Sequence, residues 1–324
     1  MAIEPEVLRG ELREQLASSL RRVPELATGE LSFTPLSGGI TNRNFLVELP
    51  GRSDRYVIRL AGNDTHLLGI SREVELAATV AAAGVGVGPE VVAFVRPEGY
   101  LVTRFIEGQP IAIEAMRHPA RLAGVAAALR RVHDGPAIPG LFVPFRIVEA
   151  YRALALERGV AIPPEYDLAL AIARRIELAF LTAPLELRPC HNDLLNANFI
   201  DDGARVRIVD WEYAGMGDPF FDLGNFAVNH ELSADDEVGL LAAYDGVSGP
   251  VRARGAAVRD DRLARLRLMR LVSDFREAMW GVLQQGISTL DVDFKAYAAD
   301  HFDRLLEAAS AAGFERLLRD AAGG

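Results

Sequence analysis

Cysteine and lysine are nearly absent from this 324-residue chain, where each occurs once, as Cys190 and Lys295. One cysteine excludes an intrachain disulfide framework, and we interpret Cys190 as a small buried residue. No apolar run approaches the roughly 20 residues that a membrane-spanning helix needs. The opening stretch "MAIEPEVLRGELREQL" lacks the apolar core of a secretory signal. The sequence therefore predicts a soluble, cytoplasmic protein.

Positive charges are outnumbered, since 35 Lys and Arg face 45 Asp and Glu, and the net charge of -10 gives a sequence pI of about 5.2. An acidic chain is a poor partner for nucleic acid or an anionic membrane, and we expect neither. It remains compatible with a cationic small molecule. Hydrophobic residues make up 50% of the chain, enough at this length for a large core in two domains or lobes.

The pattern changes character at about residue 104. Before it, alternating segments predict about five strands and one inserted helix that ends at Gly84, read as its C-terminal cap. After it, helical spacing dominates, and "RDDRLARLRLMRLVSDFREAMWGVLQQ" is the longest stretch. This predicts an α+β fold with a β-rich N-terminal lobe, residues 1–104, and a larger, mainly helical lobe, residues 105–324. A ligand is expected in the cleft between the lobes.

Polar residues interrupt the apolar stretch "CHNDLLNANFI", and a predicted hairpin follows that ends in "RVRIVD". The hairpin returns Asp210 toward Asn198, so both side chains and Asp193 are expected to converge at one end of it. Asparagine and aspartate oxygens suit Mg²⁺. Asp193 is then left to orient and deprotonate a hydroxyl group. One base beside metal ligands is the arrangement that phosphoryl transfer needs.

The segments "HNDLLNAN" and "IVDWEYAG" resemble the catalytic and metal loops of the aminoglycoside phosphotransferase and choline kinase group, relatives of protein kinases. The resemblance covers about residues 36–305. It implies a two-lobe, protein-kinase-like fold that binds ATP and Mg²⁺, with Asp193 as the base and Asn198 and Asp210 as metal ligands. It also implies that His191 and Asp222 support the catalytic loop.

The glycine turn in "LSGGITNRNFLV" lies between two predicted strands, where the family places its turn over the ATP phosphates. The resemblance assigns nucleotide contacts there to Ser37, Gly38, Gly39, Thr41 and Asn42. Taken alone, Ser37-Gly38-Gly39 favours an ordinary hairpin turn.

Arg59 stands where protein kinases and most aminoglycoside enzymes have lysine, and choline kinases resemble this chain in having arginine. An arginine can bind phosphate with two hydrogen bonds. A surface arginine at a strand end is the alternative. The family pattern assigns it a partner in "SREVEL", either Glu75 or its competitor Glu73. The stretch "LVTRFIEG", with Thr103 and Phe105, resembles the strand that binds adenine through backbone groups.

The C-terminal stretch "REAMWGVLQQ" resembles the choline and ethanolamine kinase region that walls the ammonium pocket. Trp280 and Tyr297 match family aromatic positions, whereas Glu277 replaces a tryptophan. On spacing alone, Trp280 can equally border a solvated acidic helix face. Because a primary ammonium can hydrogen-bond a carboxylate, Glu277 favours ethanolamine or another amine over choline, and Glu212 could add a second negative charge.

We therefore interpret the chain as a kinase that phosphorylates an amino alcohol such as choline or ethanolamine. Two alternatives remain open at this point. One is a related kinase for thiamine, an aminoglycoside or a sugar, and the other is a pseudokinase that binds nucleotide without transferring phosphate. A metal hydrolase is disfavoured, since no set of ligands at zinc spacing accompanies His191. The sequence leaves monomer and homodimer open.

Overall fold

The computed structural model describes residues 10–36, 43–60, 65–182, 186–247 and 258–323. The chain forms two compact units: unit 1 comprises Met1–Pro110 and Ala197–Glu212, and unit 2 comprises Ile111–Asn196 and Tyr213–Gly324. Unit 1 therefore includes residues 197–212, which the sequence-based division assigns to the C-terminal lobe. The predicted boundary at residue 104 stays a prediction.

Strands dominate unit 1, and helices dominate unit 2. The described strands are β1 Ser32–Leu36, β2 Arg43–Glu48, β3 Arg55–Leu60, β4 Val91–Val95, β5 Tyr100–Arg104, β6 Gln109–Pro110, β7 Arg188–Cys190, β8 Phe199–Asp201, β9 Val206–Ile208 and β10 Gly215–Gly217. The described α-helices are α1 Gly10–Leu20, α2 Arg72–Gly84, α3 Pro119–His133, α4 Pro144–Glu157, α5 Glu165–Phe180, α6 Pro219–Asn229, α7 Ala234–Tyr244, α8 Asp260–Ile287, α9 Phe294–Ser310 and α10 Phe314–Ala321. The predicted α+β class is confirmed.

The main sheet of unit 1 is antiparallel with the order β1-β2-β3-β5-β4. Successive side chains of a strand point to opposite faces. Ile58 of β3 and Val102 of β5 belong to the apolar cluster that includes Leu16 of α1. Their neighbours Arg59 and Thr103 line a cavity instead. Strand alternation therefore gives the sheet one face for the core and another for a site.

Helix α2 begins after Ser71, whose hydroxyl oxygen accepts a hydrogen bond from the backbone N–H of Val74 (3.4 Å). It ends at Gly84, as its sequence predicts, but the cap is wrong by one position, because the residue at the C-cap is Val85. The glycine with a left-handed backbone is Gly86, at a φ of 73°. Glycine adopts that conformation without steric cost, so the chain can turn there.

Helix α8, 28 residues long, organises unit 2 and packs against α4, α6 and α9. It coincides with the longest helical pattern of the sequence. Helical spacing in the sequence also predicts helices over residues 120–133, 145–158 and 166–181, and these correspond to α3, α4 and α5 within one residue at each end. Among the described residues, no helix has the length and apolar character required to cross a bilayer.

Candidate active site

The predicted metal ligands Asn198 and Asp210 lie at one end of the β8–β9 hairpin. Phe199 pairs with Ile208 in this hairpin. The backbone N–H of Val209 continues the ladder by donating to the carbonyl of Asn198 (3.0 Å). Asp210, the next residue, has a left-handed φ of 69°. That conformation costs of order 1 kcal/mol in a residue other than glycine, and it re-aims the aspartate as the strand ends.

Arg59 is the centre of a buried group of charges, the Arg59 cluster, which consists of Arg59, Arg72, Glu75, Asp210 and Glu212. Arg59 forms ion pairs with Glu75, with Asp210 (Nη1 to Oδ1, 2.9 Å) and with Glu212 (Nη2 to Oε2, 2.8 Å). Arg72 pairs with Glu75 (Nη1 to Oε2, 2.5 Å) and lies 3.5 Å from Glu212. Arg59 is 8% exposed, so it is not a surface arginine.

The competitor Glu73 is exposed and lies 4.0 Å from the exposed side chain of Arg96. The structure thus places Glu75, not Glu73, against Arg59. Glu212, expected near the acceptor, belongs to the Arg59 cluster. Its carboxylate is held there by two guanidinium groups.

Three carboxylates face two guanidinium groups in the Arg59 cluster, which leaves one negative charge in excess. The pKa of Asp210 is raised to about 6, first by burial and then by Glu212 and Glu75, although Arg59 and Arg72 act in the opposite direction. Burial lowers the pKa of Arg59, but the three carboxylates reverse the effect and raise it above its usual value. The Asp210 side chain is 21% exposed, so a cation can reach it. A hard cation such as Mg²⁺ fits this donor set.

One cavity of unit 1 has a volume of about 320 Å³. It is lined by five of the predicted site residues: Arg59, Thr103, Phe105, Asn198 and Asp210. Its apolar lining includes Leu36, Val57, Leu101, Pro89, Ile200 and Val209. A mainly apolar cavity of this size with polar groups on part of its wall is typical of a small-ligand site.

The backbone after β5 explains which groups can meet a ligand in this cavity. The N–H of Phe105 donates to the carbonyl of Arg55 (2.9 Å), so it is already used within the sheet. The N–H of Ile106, a cavity-lining residue, makes no hydrogen bond within the described part of the chain. Within "LVTRFIEG", whose backbone groups are expected to bind adenine, the N–H of Ile106 is therefore left for a ligand and that of Phe105 is not.

The predicted phosphate-binding turn, with Ser37, Gly38, Gly39, Thr41 and Asn42, lies outside the described residues. The assignments made to it remain predictions.

In unit 2, Asp222 of α6 holds the backbone that leads into Asp193. Its carboxylate accepts hydrogen bonds from the N–H groups of His191 (2.8 Å) and Asn192 (2.7 Å). The N–H of Asp193 donates to Nδ1 of His191 (3.2 Å). Asn192 has a φ of 67°, a conformation that such bonds can maintain. His191 therefore acts here as a hydrogen-bond acceptor for the loop.

His133 is a further support for Asp222. Its Nε2 lies 3.0 Å from the Asp222 carboxylate and its Nδ1 lies 2.7 Å from the Tyr244 hydroxyl. Cys190 is close enough for His133, Cys190 and Asp222 to be considered as metal ligands. However, both oxygens of Asp222 and both ring nitrogens of His133 already have hydrogen-bond partners among the described residues. The hydrogen bonds of Asp222 and His133 give this group a structural role.

The predicted acceptor residues of unit 2 meet around Arg276, and we call Asp193, Arg276, Glu277, Tyr213 and Tyr297 the acceptor group. Nη1 of Arg276 donates to Asp193 Oδ1 (3.3 Å) and also to Glu277 Oε1. The Tyr297 hydroxyl donates to the other Glu277 oxygen, Oε2 (2.8 Å). Burial raises the pKa of Glu277, but Arg276, His301 and the Tyr297 hydrogen bond together lower it below its ordinary value. Glu277 is therefore ionised.

Aromatic rings surround the acceptor group. The Arg276 guanidinium carbon lies 4.3 Å from the ring centroid of Tyr213. The indole N–H of Trp280 donates to the Tyr213 hydroxyl (3.2 Å). The Trp280 ring meets Phe294 and Tyr297 edge-on, with centroids 5.7 and 5.6 Å apart. Trp280 is thus a buried wall of the group.

Comparisons with known proteins agree with this geometry. The profile of the APH family, the "Phosphotransferase enzyme family", matches residues 32–258. A crystal structure of a choline/ethanolamine kinase family protein from Mesorhizobium loti is 30% identical, with a TM-score of 0.80, over 96% of this chain and 99% of that one. Human "Choline/ethanolamine kinase" is 26% identical over 90% of this chain and 82% of its own length. "Protein LicA" of Haemophilus influenzae is 27% identical over 64% of this chain and 61% of its own length.

Proposed function

The chain belongs to the phosphotransferase enzyme family, and we propose that it is an ATP-dependent kinase for the hydroxyl group of an amino alcohol. The observation that carries the proposal is the unit 1 cavity, which contains Arg59, Thr103, Phe105, Asn198 and Asp210 together. The sequence motifs independently predict each of these five residues for binding the nucleotide or its metal ion. The names of the kinase relatives support the choice of acceptor class.

Unit 1 binds the nucleotide in this proposal. The apolar wall with Val57, Leu101 and Ile200 receives the adenine ring, and the Ile106 N–H donates to its edge. Arg59, held by Glu75, neutralises phosphate charge. Asn198 and Asp210 would hold Mg²⁺, which screens the negative charge of the phosphate oxygens when it is bound.

Unit 2 binds the acceptor. Asp193 orients the acceptor hydroxyl and takes its proton late in the transfer, as a carboxylate base does in this class of reaction. The new bond joins the acceptor oxygen to the γ-phosphorus, and the bond from that phosphorus to the departing ADP oxygen breaks. Glu277 receives the ammonium group of the acceptor, and Trp280 and Tyr297 enclose it.

A cytoplasmic location and the absence of nucleic-acid and membrane partners remain predictions.

The proposal is tested by measuring ADP release with MgATP and, in turn, ethanolamine, choline, thiamine and kanamycin. We expect saturable turnover on an amino alcohol and none on the other two. Turnover on thiamine or kanamycin alone would keep phosphoryl transfer and overturn the acceptor class. ATP binding without turnover on any of the four would support the pseudokinase alternative.

A further inference from the structure

Arg276 places a positive charge inside the acceptor group. The residue is only 1% exposed, and it lies on α8 directly before Glu277. Its guanidinium touches both carboxylates that would otherwise meet a cationic acceptor, Asp193 and Glu277. These three residues together carry one net negative charge. One ammonium group is therefore sufficient to neutralise them.

Arg276 also covers the aromatic surface that a methylated cation needs. A quaternary ammonium has no N–H and depends on ring faces for binding. The Tyr213 ring already has the Arg276 guanidinium stacked on it at 4.3 Å. Trp280 is buried, with its ring packed edge-on against Phe294 and Tyr297. One face of the Tyr213 ring is therefore already occupied by Arg276, and Trp280 is enclosed by other rings.

Glu277 keeps the features that a primary ammonium needs. It is ionised and buried, and its two oxygens are held in place from different sides by Arg276 and Tyr297. A carboxylate oxygen has more than one lone pair, so each can accept a further N–H bond from a ligand. A charge-assisted hydrogen bond of this kind is available to a primary ammonium and unavailable to a quaternary one.

We propose that Arg276 is a specificity-determining residue that makes the site select primary amino alcohols over quaternary ones. The inference rests on the proposed function for the identity of the acceptor group, and it adds to that function the residue responsible for selection. Arg276 acts by occupying the Tyr213 face and by cancelling one of the two carboxylate charges. Replacing it with methionine restores the second carboxylate charge and removes the guanidinium group from the Tyr213 face.

The test compares ethanolamine with choline in two independent assays. Calorimetric titration with the non-hydrolysable analogue AMP-PNP and Mg²⁺ present measures acceptor binding without chemistry. Steady-state turnover with MgATP measures kcat/KM for each acceptor. The variants are Arg276→Met, which keeps the length of the side chain and removes the charge, and Arg276→Lys, which keeps the charge. Arg175→Met is the matched control, since Arg175 also stacks on a ring, that of Phe314, and pairs with Glu315 on the surface of unit 2.

We expect the wild type and Arg175→Met to favour ethanolamine by at least tenfold in binding and in kcat/KM. Arg276→Met should shift the ratio toward choline by at least tenfold, whereas Arg276→Lys should retain the preference for ethanolamine. A wild type that favours choline, or that binds neither acceptor, would overturn the proposal even if Arg276→Met does not fold. An equal loss for both acceptors in Arg276→Met would show a structural role and also overturn it.

The two binding and turnover readouts separate this inference from the proposed function. The expected binding ratios without phosphate transfer would contradict the kinase and leave the role of Arg276 standing. Phosphate transfer with a ratio that Arg276→Met does not move would support the kinase and contradict the role of Arg276.

Discussion

The Arg59 guanidinium lies 2.9 Å from the carboxylate of Asp210, inside a group where three carboxylates share two arginines. Such a group is poorly balanced as a purely structural feature, because one negative charge remains in excess. It suits a site that becomes balanced when a cation arrives. The first two predictions follow from this imbalance.

Asp210→Asn should lower the rate of phosphate transfer by at least about 100-fold. It should not lower the stability of the folded protein. Asparagine tolerates the left-handed φ of position 210, and the change leaves two carboxylates for two guanidinium groups. Turnover is measured with MgATP, and thermal unfolding is measured without added Mg²⁺. Asp202→Asn is the control, since Asp202 lies in the turn of the same hairpin and pairs with Arg207 (3.2 Å). A marked loss of stability in Asp210→Asn would contradict the argument.

Arg59→Met should destabilise the protein by about 3–5 kcal/mol, because it leaves buried carboxylates without their main counter-ion. It should also weaken ATP binding. Urea unfolding and nucleotide titration measure the two effects. Arg22→Met removes an exposed arginine that pairs with Glu98, and it should change stability by no more than about 1 kcal/mol. Equal losses of unfolding free energy in the two variants would show that Arg59 stabilises the protein no more than an exposed arginine does.

Asp222→Asn should lower the free energy of unfolding by about 2 kcal/mol at neutral pH, because an amide NH₂ replaces a carboxylate oxygen that accepts from backbone N–H groups. It should also lower kcat by a larger factor than it changes KM. Asp245→Asn is the control, as Asp245 pairs with Arg262 (2.5 Å) in a less buried position. A change in KM alone would show that Asp222 does not hold the loop that positions Asp193.

The effect of Asp222→Asn should also depend on pH. Burial raises the pKa of Asp222, but its hydrogen bond with His133 and the N–H of His191 outweigh burial and lower the pKa below its ordinary value. A lowered pKa in the folded state gives stability that is present above the unfolded pKa, about 3.9 for aspartate, and is lost as pH falls through the folded pKa. The difference in unfolding free energy between wild type and variant should therefore shrink below about pH 4. A constant difference would contradict this cause.

Gly281→Ala should raise the KM for the acceptor about tenfold and leave the KM for ATP unchanged. A Cβ at position 281 would lie 2.8 Å from Cδ1 of Tyr297, so the ring must shift, and this disturbs the hydrogen bond from its hydroxyl to Glu277. Gly84→Ala is the control, because a Cβ there meets no atom within 4 Å. Steady-state kinetics with each substrate varied in turn measure both constants. Unchanged acceptor kinetics would show that Tyr297 does not position Glu277 for binding.

Sequence patterns are sufficient to predict a structural feature that depends on a single helix or strand. Apolar spacing predicts α8, and strand alternation explains why Arg59 faces away from the core beside Ile58. The pairing of Arg59 with Glu75 also follows a motif, although sequence could not choose between Glu75 and Glu73. That choice depends on which face of α2 is buried, and the structure gives Glu75 as 2% exposed.

Residues that act through contacts between distant segments could not be predicted. Arg276 and Tyr213 are 63 positions apart, and only the folded chain stacks one on the other. The motif "SREVEL" indicates no role for Arg72, because its contact with Glu212 spans 140 positions. His133 carries no signal beyond its place at the end of a predicted helix. The one local clue is the adjacency of Arg276 and Glu277, a charged pair in a mainly apolar stretch.

Transfer of phosphate to the acceptor hydroxyl with Asp193 as the base can be followed by ³¹P NMR of MgATP with ethanolamine present, in the wild type and in Asp193→Asn. A phosphomonoester signal should grow in step with ADP in the wild type, and its rate of growth should fall by at least about 100-fold in the variant. Growth of inorganic phosphate alone, or equal rates in the two proteins, would contradict this mechanism.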